Sequence, residues 1–88
     1  MNNDTMNLKK ELFNNIDNVH TTQLGIDRIR NNINLDDSID VVEHCKDIIK
    51  DEESQVTKKG KNYYVTYKNV ILTINSSSFT IITAHKKK

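Results

Sequence analysis

The spacing of apolar residues changes near Gln55, and this change constrains the fold more than any other feature of the chain. Up to Lys50, apolar residues recur every three or four positions, as on one face of an α-helix. From Gln55 onward they alternate with polar residues, as along a half-buried β-strand. The sequence therefore predicts an α+β domain in which N-terminal helices cover one face of a C-terminal antiparallel sheet.

About three helices are predicted in the first half of the chain. The first covers residues 6–19, where apolar side chains form one helical stripe. The second runs from about residue 22 to 32 and is preceded by threonines that can cap it. The third follows the acidic capping run at residues 36–38 and ends near Lys50.

A four-stranded antiparallel meander is predicted for the second half. An edge strand covers about residues 54–58 and ends at the turn that Gly60 marks. Lys68-Asn69 is interpreted as a two-residue turn between the second and third strands, and Ser76-Ser77 as the turn before the fourth.

These turns determine which side chains share a face of the sheet. The first pairs Tyr63 with Ile74, and the second pairs Leu72 with Ile81. The face toward the helices is then predicted to hold Tyr63, Val65, Tyr67, Val70, Leu72, Ile74, Phe79 and Ile81. The opposite face is predicted to hold Tyr64, Thr66, Ile71, Thr73, Asn75, Thr80 and Ile82. His85 points to the helix side in this register, whereas a three-residue loop at 76–78 would invert the last strand.

The length of 88 residues allows one domain, 1–88, with residues 1–5 and 86–88 expected to fray. Cys45 is the single cysteine, so an intrachain disulfide is excluded and a reducing compartment is indicated. The chain has no apolar run long enough to span a membrane and no signal-peptide pattern at its start. We expect a cytoplasmic protein without a membrane partner, and the Lys-, Asn- and Ile-rich composition suggests an AT-rich bacterial or phage gene.

The two halves of the chain carry opposite charge. Residues 1–53 contain six Lys or Arg against twelve Asp or Glu, a net of −6, whereas residues 54–88 contain seven Lys and no acid, a net of +7. A basic sheet of this kind attracts phosphates or an acidic protein surface. The alternative is that acidic helices and a basic sheet attract each other within the fold.

Motifs for nucleotide, zinc or serine-hydrolase chemistry are not found in the sequence, and no metal or cofactor is expected. His44 and Cys45 are adjacent on a helix and diverge, so they cannot act as a pair. The catalytic candidates are His20 and His85 as acid and base, with Arg28 as a phosphate contact. Two histidines and a cation are sufficient for metal-independent RNA cleavage. The alternative, which the position favours, is that His20 is a surface residue in the capping segment of a helix.

Lysines and tyrosines around Gly60 form the main candidate binding cluster. Basic and aromatic side chains together follow a nucleic-acid backbone and stack on its bases, although a lysine-rich hairpin also protects a sheet edge. The full set of candidate contacts for nucleic acid or a protein partner is Thr21, Thr22, Lys58, Lys59, Lys61, Tyr64, Thr73, Asn75 and Thr83.

Four segments resemble a small bacterial family of unknown function. They are His20-Thr21-Thr22-Gln23-Leu24-Gly25-Ile26-Asp27-Arg28-Ile29, Val41-Val42-Glu43-His44-Cys45-Lys46, Lys59-Gly60-Lys61-Asn62-Tyr63-Tyr64-Val65 and Thr80-Ile81-Ile82-Thr83-Ala84-His85-Lys86. The resemblance implies that the segments around His20 and His85 belong to one unit. More distantly, a helix with His and Arg followed by a sheet that ends in Ile-Thr-Ala-His is similar to the fold of barnase, colicin-type and RelE-type ribonucleases.

Two functional hypotheses follow. The first is an RNA-directed module, in its enzymatic form a metal-independent endoribonuclease of toxin type. The second is a non-enzymatic interaction protein, such as a phage or mobile-element inhibitor that docks its basic sheet on an acidic or nucleic-acid-binding host protein. A homodimer is a further expectation, because a domain this small gains stability from association.

Overall fold

The computed structural model describes residues 3–87, and the side chains of its first helix from Asn7 onward. Within this range three α-helices precede four β-strands, which confirms the predicted α+β class. None of the described helices is long and apolar enough to cross a lipid bilayer.

The helices are α1 (Asn3–Asn14), α2 (Gln23–Asn32) and α3 (Val41–Lys50), with a short 3₁₀ helix at Ile16–Asn18. The strands are β1 (Gln55–Lys59), β2 (Asn62–Tyr67), β3 (Val70–Asn75) and β4 (Ile81–Lys86).

The helix boundaries agree with prediction for α2 and for the end of α3, and they differ for α1 and for the start of α3. Helix α1 ends at Asn14 instead of residue 19, because the next residue, Asn15, donates its side-chain amide to the carbonyl of Glu11. Helix α2 begins after Thr22, whose hydroxyl accepts from a backbone N–H of the first turn. Helix α3 is capped by Asp40 and not by the acidic run at 36–38.

The sheet is an antiparallel meander in the order β1-β2-β3-β4. Tyr63 pairs with Ile74, as predicted, around the two-residue turn at Lys68-Asn69. Gly60 has φ +62° in the turn between β1 and β2, a left-handed conformation that favours glycine. The first three strands therefore have the register that the turns indicate.

The predicted register of β4 is wrong. Leu72 pairs with Ala84 and not with Ile81. The two-residue turn does not form, because the side chain of Asn75 accepts hydrogen bonds from the backbone of Ser77 and Ser78 and a longer loop results. Strand β4 consequently starts at Ile81.

An irregularity in β4 moves His85 to the other face of the sheet. Ile81 and Ala84 both face the core, so the two residues between them oppose a single position of β3. His85 then pairs with Ile71, on the face away from the helices. The prediction that His85 points to the helix side is therefore wrong.

The three helices cover the face of the sheet that contains Tyr63, Leu72 and Ile81. Helix α1 packs on β1, α2 packs on β4, and α3 contacts both helices. The predicted core face is confirmed, since every residue assigned to it is buried or packs against the core. The buried apolar residues are Leu12, Val19, Ile29, Ile33, Val41, Cys45, Ile48, Ile49, Val56, Tyr63, Val65, Leu72, Ile74, Ile81 and Ala84.

The expected frayed ends are partly ordered. Residues 3–5 belong to α1 and Lys86 belongs to β4. Residues 1, 2 and 88 lie outside the described part of the chain.

Two tyrosines at the margin of the core join the sheet to acidic side chains of the helical half. The Tyr63 hydroxyl donates to Glu11 of α1, and the Tyr67 hydroxyl donates to Asp51 at 3.0 Å. Burial and the hydrogen bond to Glu11 raise the pKa of Tyr63 from 10.0 to about 12. A hydrogen bond from the backbone N–H of Glu53 holds the pKa of Asp51 below its usual value, and the bond from the Tyr67 hydroxyl adds to this effect.

We expect Tyr63 to make stability fall in alkaline solution. Because folding raises the pKa of Tyr63, the protonated tyrosine stabilises the folded state in full below pH 10.0, the pKa of the unfolded chain. This stability is lost as the pH rises toward 12, the pKa in the folded state. Urea unfolding of the wild type and of Tyr63→Phe across this interval measures the effect. The wild type should lose more stability than the variant, and an equal loss in both would contradict this role of Tyr63.

Candidate nucleic-acid interface

The face of the sheet away from the helices has no covering element within residues 3–87. We call this surface the open face. One row across it contains Thr57, Tyr64, Thr73 and Thr83, and the next row contains Gln55, Thr66, Ile71 and His85. Lys59, Asn62, Asn75 and Ile82 complete the set. The open face therefore consists of hydroxyl, amide, aromatic and cationic groups with two isoleucines, and none of its described residues carries a carboxylate.

The lysines of the sheet half do not pair with the acidic helices. The three ion pairs between described residues all lie in the helical half, at Arg30–Asp37, Lys46–Glu43 and Lys50–Asp47. Each of the six lysines between residues 54 and 87 lacks an ion pair to a described carboxylate, although Lys68 lowers the pKa of Asp51 at longer range. The positive charge of the sheet half thus remains available to a ligand.

Tyr64 is the aromatic residue of the open face. It is half-buried and is flanked across the strands by Thr57 and Thr73. Tyr63 and Tyr67 use their hydroxyls to bind helix-half carboxylates, whereas the Tyr64 hydroxyl has no partner among the described residues. Tyr64 therefore offers both a ring face and a free hydroxyl to a ligand.

The predicted lysine cluster is divided between the two faces. Lys58 pairs with Tyr63 on the helix side, with its ammonium 5.7 Å from the centre of the Tyr63 ring. Lys59 pairs with Asn62 on the open face, and Lys61 is exposed in the turn. Of the two neighbouring lysines in β1, only Lys59 can contact a ligand on the open face.

The segment before α2 is joined directly to the start of β4. His20 donates its backbone N–H to the carbonyl of Phe79 and accepts from the N–H of Ile81 at 2.7 Å. Its imidazole Nδ1 lies 2.7 Å from the carbonyl of Asn18, and its Nε2 lies 3.2 Å from the hydroxyl of Thr80. Because a carbonyl only accepts, Nδ1 carries the proton and Nε2 of the neutral ring accepts from Thr80.

The three catalytic candidates are not brought together. His20 lies beside Thr80 before β4, while His85 lies on the open face near the other end of that strand. Five strand positions separate Thr80 from His85, roughly 15 Å along β4. Arg28 is exposed on α2, in the helix layer on the opposite side of the sheet. One phosphate cannot contact both histidines in this arrangement.

Comparison with known proteins identifies the family to which most of the chain aligns. Residues 13–85 match DUF3781, described as a protein of unknown function. The chain belongs to the DUF3781 family. No curated protein and no solved structure matches the chain.

The residues before and within the first turn of α2 hold this DUF3781 domain together. Thr21 donates its hydroxyl to the carbonyl of Ile81 at 2.8 Å, and Thr22 caps α2 by accepting from the N–H of Gly25 at 3.0 Å. Both hydroxyls therefore form hydrogen bonds within the fold. The segment that begins at His20 is thereby joined to the start of β4, where His20 pairs with Thr80.

Several open-face residues were not among the predicted contacts. By strand register the candidates Lys59, Tyr64, Thr73, Asn75 and Thr83 belong to this face, although Thr73 is buried and the hydroxyl of Thr83 accepts from Asn32 of α2. The additional members from the first two strands are Gln55, Thr57, Asn62 and Thr66. Strand alternation from Tyr64 would have identified them, since every second residue shares a face.

The helix backbone at Gly25 passes so close to the side chain of Thr21 that position 25 has no room for a Cβ atom. A Cβ at position 25 would overlap the Thr21 hydroxyl, which must then leave the carbonyl of Ile81. We expect Gly25→Ala to lower the free energy of unfolding by about 1–3 kcal/mol, despite the higher helix propensity of alanine. Chemical denaturation measures this change.

The double variant Thr21→Ala/Gly25→Ala is the control. Removing the hydroxyl also removes the overlap, so the cost of Gly25→Ala should shrink when residue 21 is alanine. An unchanged cost would mean that Thr21 is not the group that excludes a side chain at position 25.

Proposed function

We propose that this chain is a cytoplasmic RNA-directed module that binds single-stranded RNA on the open face of its sheet. The observation that carries the proposal is the lack of ion pairs to the six described lysines of the sheet half. Lysines that balanced the acidic helices would leave little charge for a ligand. Unpaired lysines around a surface without carboxylates produce the field that attracts a polyanion.

The shape and chemistry of the open face favour a single strand. Tyr64 offers a ring on which an unpaired base stacks, and such stacking tolerates any base. Thr57, Asn62 and the side-chain nitrogen of Asn75 supply donors and acceptors beside it, whereas the Asn75 oxygen is bound by the serine loop. A duplex keeps its bases stacked on one another and offers no free ring face to Tyr64.

Cleavage is not part of this proposal. The enzymatic hypothesis requires His20 and His85 on one phosphate, and the two residues are roughly 15 Å apart along β4. The likeness to barnase, colicin-type and RelE-type ribonucleases stays a hypothesis about the fold. Without a paired acid and base, the charge and aromatic chemistry of the sheet supports binding alone.

Neighbouring lysines in β1 provide a matched test. Lys59→Gln should weaken binding to a labelled single-stranded RNA and reduce the log–log salt slope by about 0.7, the value for one phosphate contact on a single strand. Lys58→Gln removes the same charge from the helix side of the same strand and should leave affinity nearly unchanged. Fluorescence anisotropy over a salt series measures both quantities.

Equal effects of the two substitutions would contradict binding on the open face, and thermal melting of both variants checks that they fold. No RNA binding by the wild type would contradict the proposal as a whole.

Two alternatives would then be tested. Capture of an acidic protein that depends on Lys59 would favour the inhibitor hypothesis, and a doubled mass in light scattering would show a homodimer.

Tyr64 provides the second test. Tyr64→Ala should cost about 1–3 kcal/mol of binding free energy, because it removes the ring on which a base stacks. Tyr64→Phe retains the ring and should keep most of the affinity. Isothermal titration with the same RNA compares the three proteins, and similar affinities for wild type and Tyr64→Ala would exclude stacking on this residue.

A further inference from the structure

An open groove lies on the helix side of the domain, where α1 passes the C-terminal end of α3 and the start of β1. Its volume is about 570 Å³, and Phe13, Ile49 and Ser54 contribute to its lining together with three lysines. Binding sites for small molecules have volumes of this order, about 300–1,000 Å³. The groove is separate from the open face and does not depend on the proposed RNA function.

The floor of the groove is apolar. Phe13 leaves 49% of its surface exposed, although it is one of only two phenylalanines in the chain. Ile49 is fully buried beneath the groove, and the lysines that line it carry apolar methylene stems below their ammonium groups. An apolar body placed here would remove the Phe13 ring from water without displacing any part of the core.

The rim of the groove is cationic although it belongs to the acidic half of the chain. Residues 1–53 contain six Lys or Arg, and three of them, Lys9, Lys10 and Lys50, line this groove. Among the described carboxylates only Glu52 joins them. Half of the basic residues of an acidic region thus surround one apolar surface.

Lys9 is held in position by the backbone. Its ammonium donates to the carbonyls of Asp51 and Ser54, both at 2.7 Å, just beyond the end of α3. An ammonium group has three N–H donors, so one remains after these two bonds. A donor with a fixed position loses less side-chain entropy on binding an anion than a free lysine does.

We propose that this groove binds a small anionic amphiphile, a carboxylate on an apolar chain or ring. The apolar body would cover Phe13 above the buried Ile49, and the carboxylate would accept from Lys9. Lys10 and Lys50, which also pairs with Asp47, would lie beside it. The limited volume fits a small molecule, and the apolar floor distinguishes this ligand from the polyanion proposed for the open face. A nucleic acid has phosphates for the rim but no aliphatic body for the floor.

Displacement of a fluorescent anionic probe tests the proposal on the full chain. Anilinonaphthalenesulfonate should bind with a stoichiometry of one, and dodecanoate below its micelle concentration should displace it. Dodecanol has the same chain without the charge and should displace it about tenfold less well, the difference expected for a charge-assisted hydrogen bond. Equal displacement by the two ligands would overturn the role of the cationic rim.

Two double variants locate the site. Lys10→Gln/Lys50→Gln should weaken dodecanoate binding roughly three- to tenfold, as for two exposed charges. Lys86→Gln/Lys87→Gln removes the same charge from the sheet half and should have no such effect. Lys9 is kept intact because its substitution would also release the carbonyls of Asp51 and Ser54.

Other outcomes would overturn the proposal. Probe fluorescence that neither saturates nor responds to dodecanoate would indicate a loosely packed core instead of a site. Displacement of the probe by single-stranded RNA, or equal weakening by the two double variants, would place the anion on the sheet half. A doubled mass in light scattering that is lost when dodecanoate binds would identify a second copy of the chain as the occupant of the groove.

Discussion

The junction between the segment before α2 and the first residue of β4 is the interaction on which the rest of the structure depends. His20 forms two backbone hydrogen bonds with Phe79 and Ile81, and the Thr21 hydroxyl adds a third to the Ile81 carbonyl. These bonds join residues about sixty positions apart and hold α2 beside β4. They close the helix layer over one face of the sheet, and the other face is left open as a consequence.

The packing of the helices on the sheet also determines which groups the carboxylates of Glu11 and Asp51 contact. The acidic half of the chain meets the core margin through Glu11 and Asp51, and both carboxylates accept from tyrosine hydroxyls instead of pairing with sheet lysines. The three described ion pairs join residues of the helical half to one another. The charge asymmetry of the sequence is therefore kept as a surface property of the folded domain, with one acidic layer and one basic sheet.

Periodicity was sufficient to predict the class, the strand order and the first two hairpins. Gly60 and Lys68-Asn69 are short turns whose residues identify them, and the core face follows from alternation. The last strand could not be predicted in this way. Asn75 organises the serine loop through its side chain, and Phe79 adopts φ +58°, a conformation that a bulky side chain rarely takes. The added residue in β4 then reverses the direction of every side chain after it.

The same local event explains why the candidate binding residues of the first three strands share one face, whereas the candidate catalytic residues are not brought together. Lys59, Tyr64, Thr73 and Asn75 lie on strands whose register the turns determine, so alternation alone places them on one face. The acid–base hypothesis required His85 on the helix side, after the loop and the irregularity that local spacing does not reveal.

A site that combines side chains from several elements depends on every register between them. The α1–α3 groove has the same dependence, because the packing of two helices brings Lys9, Phe13 and Lys50 together and no motif in the sequence records it. A sheet face needs only its own alternation. In a domain this small, the surface that a sequence can reveal is therefore one flat face of the sheet, and a flat face suits many weak, salt-dependent contacts better than positioned chemistry.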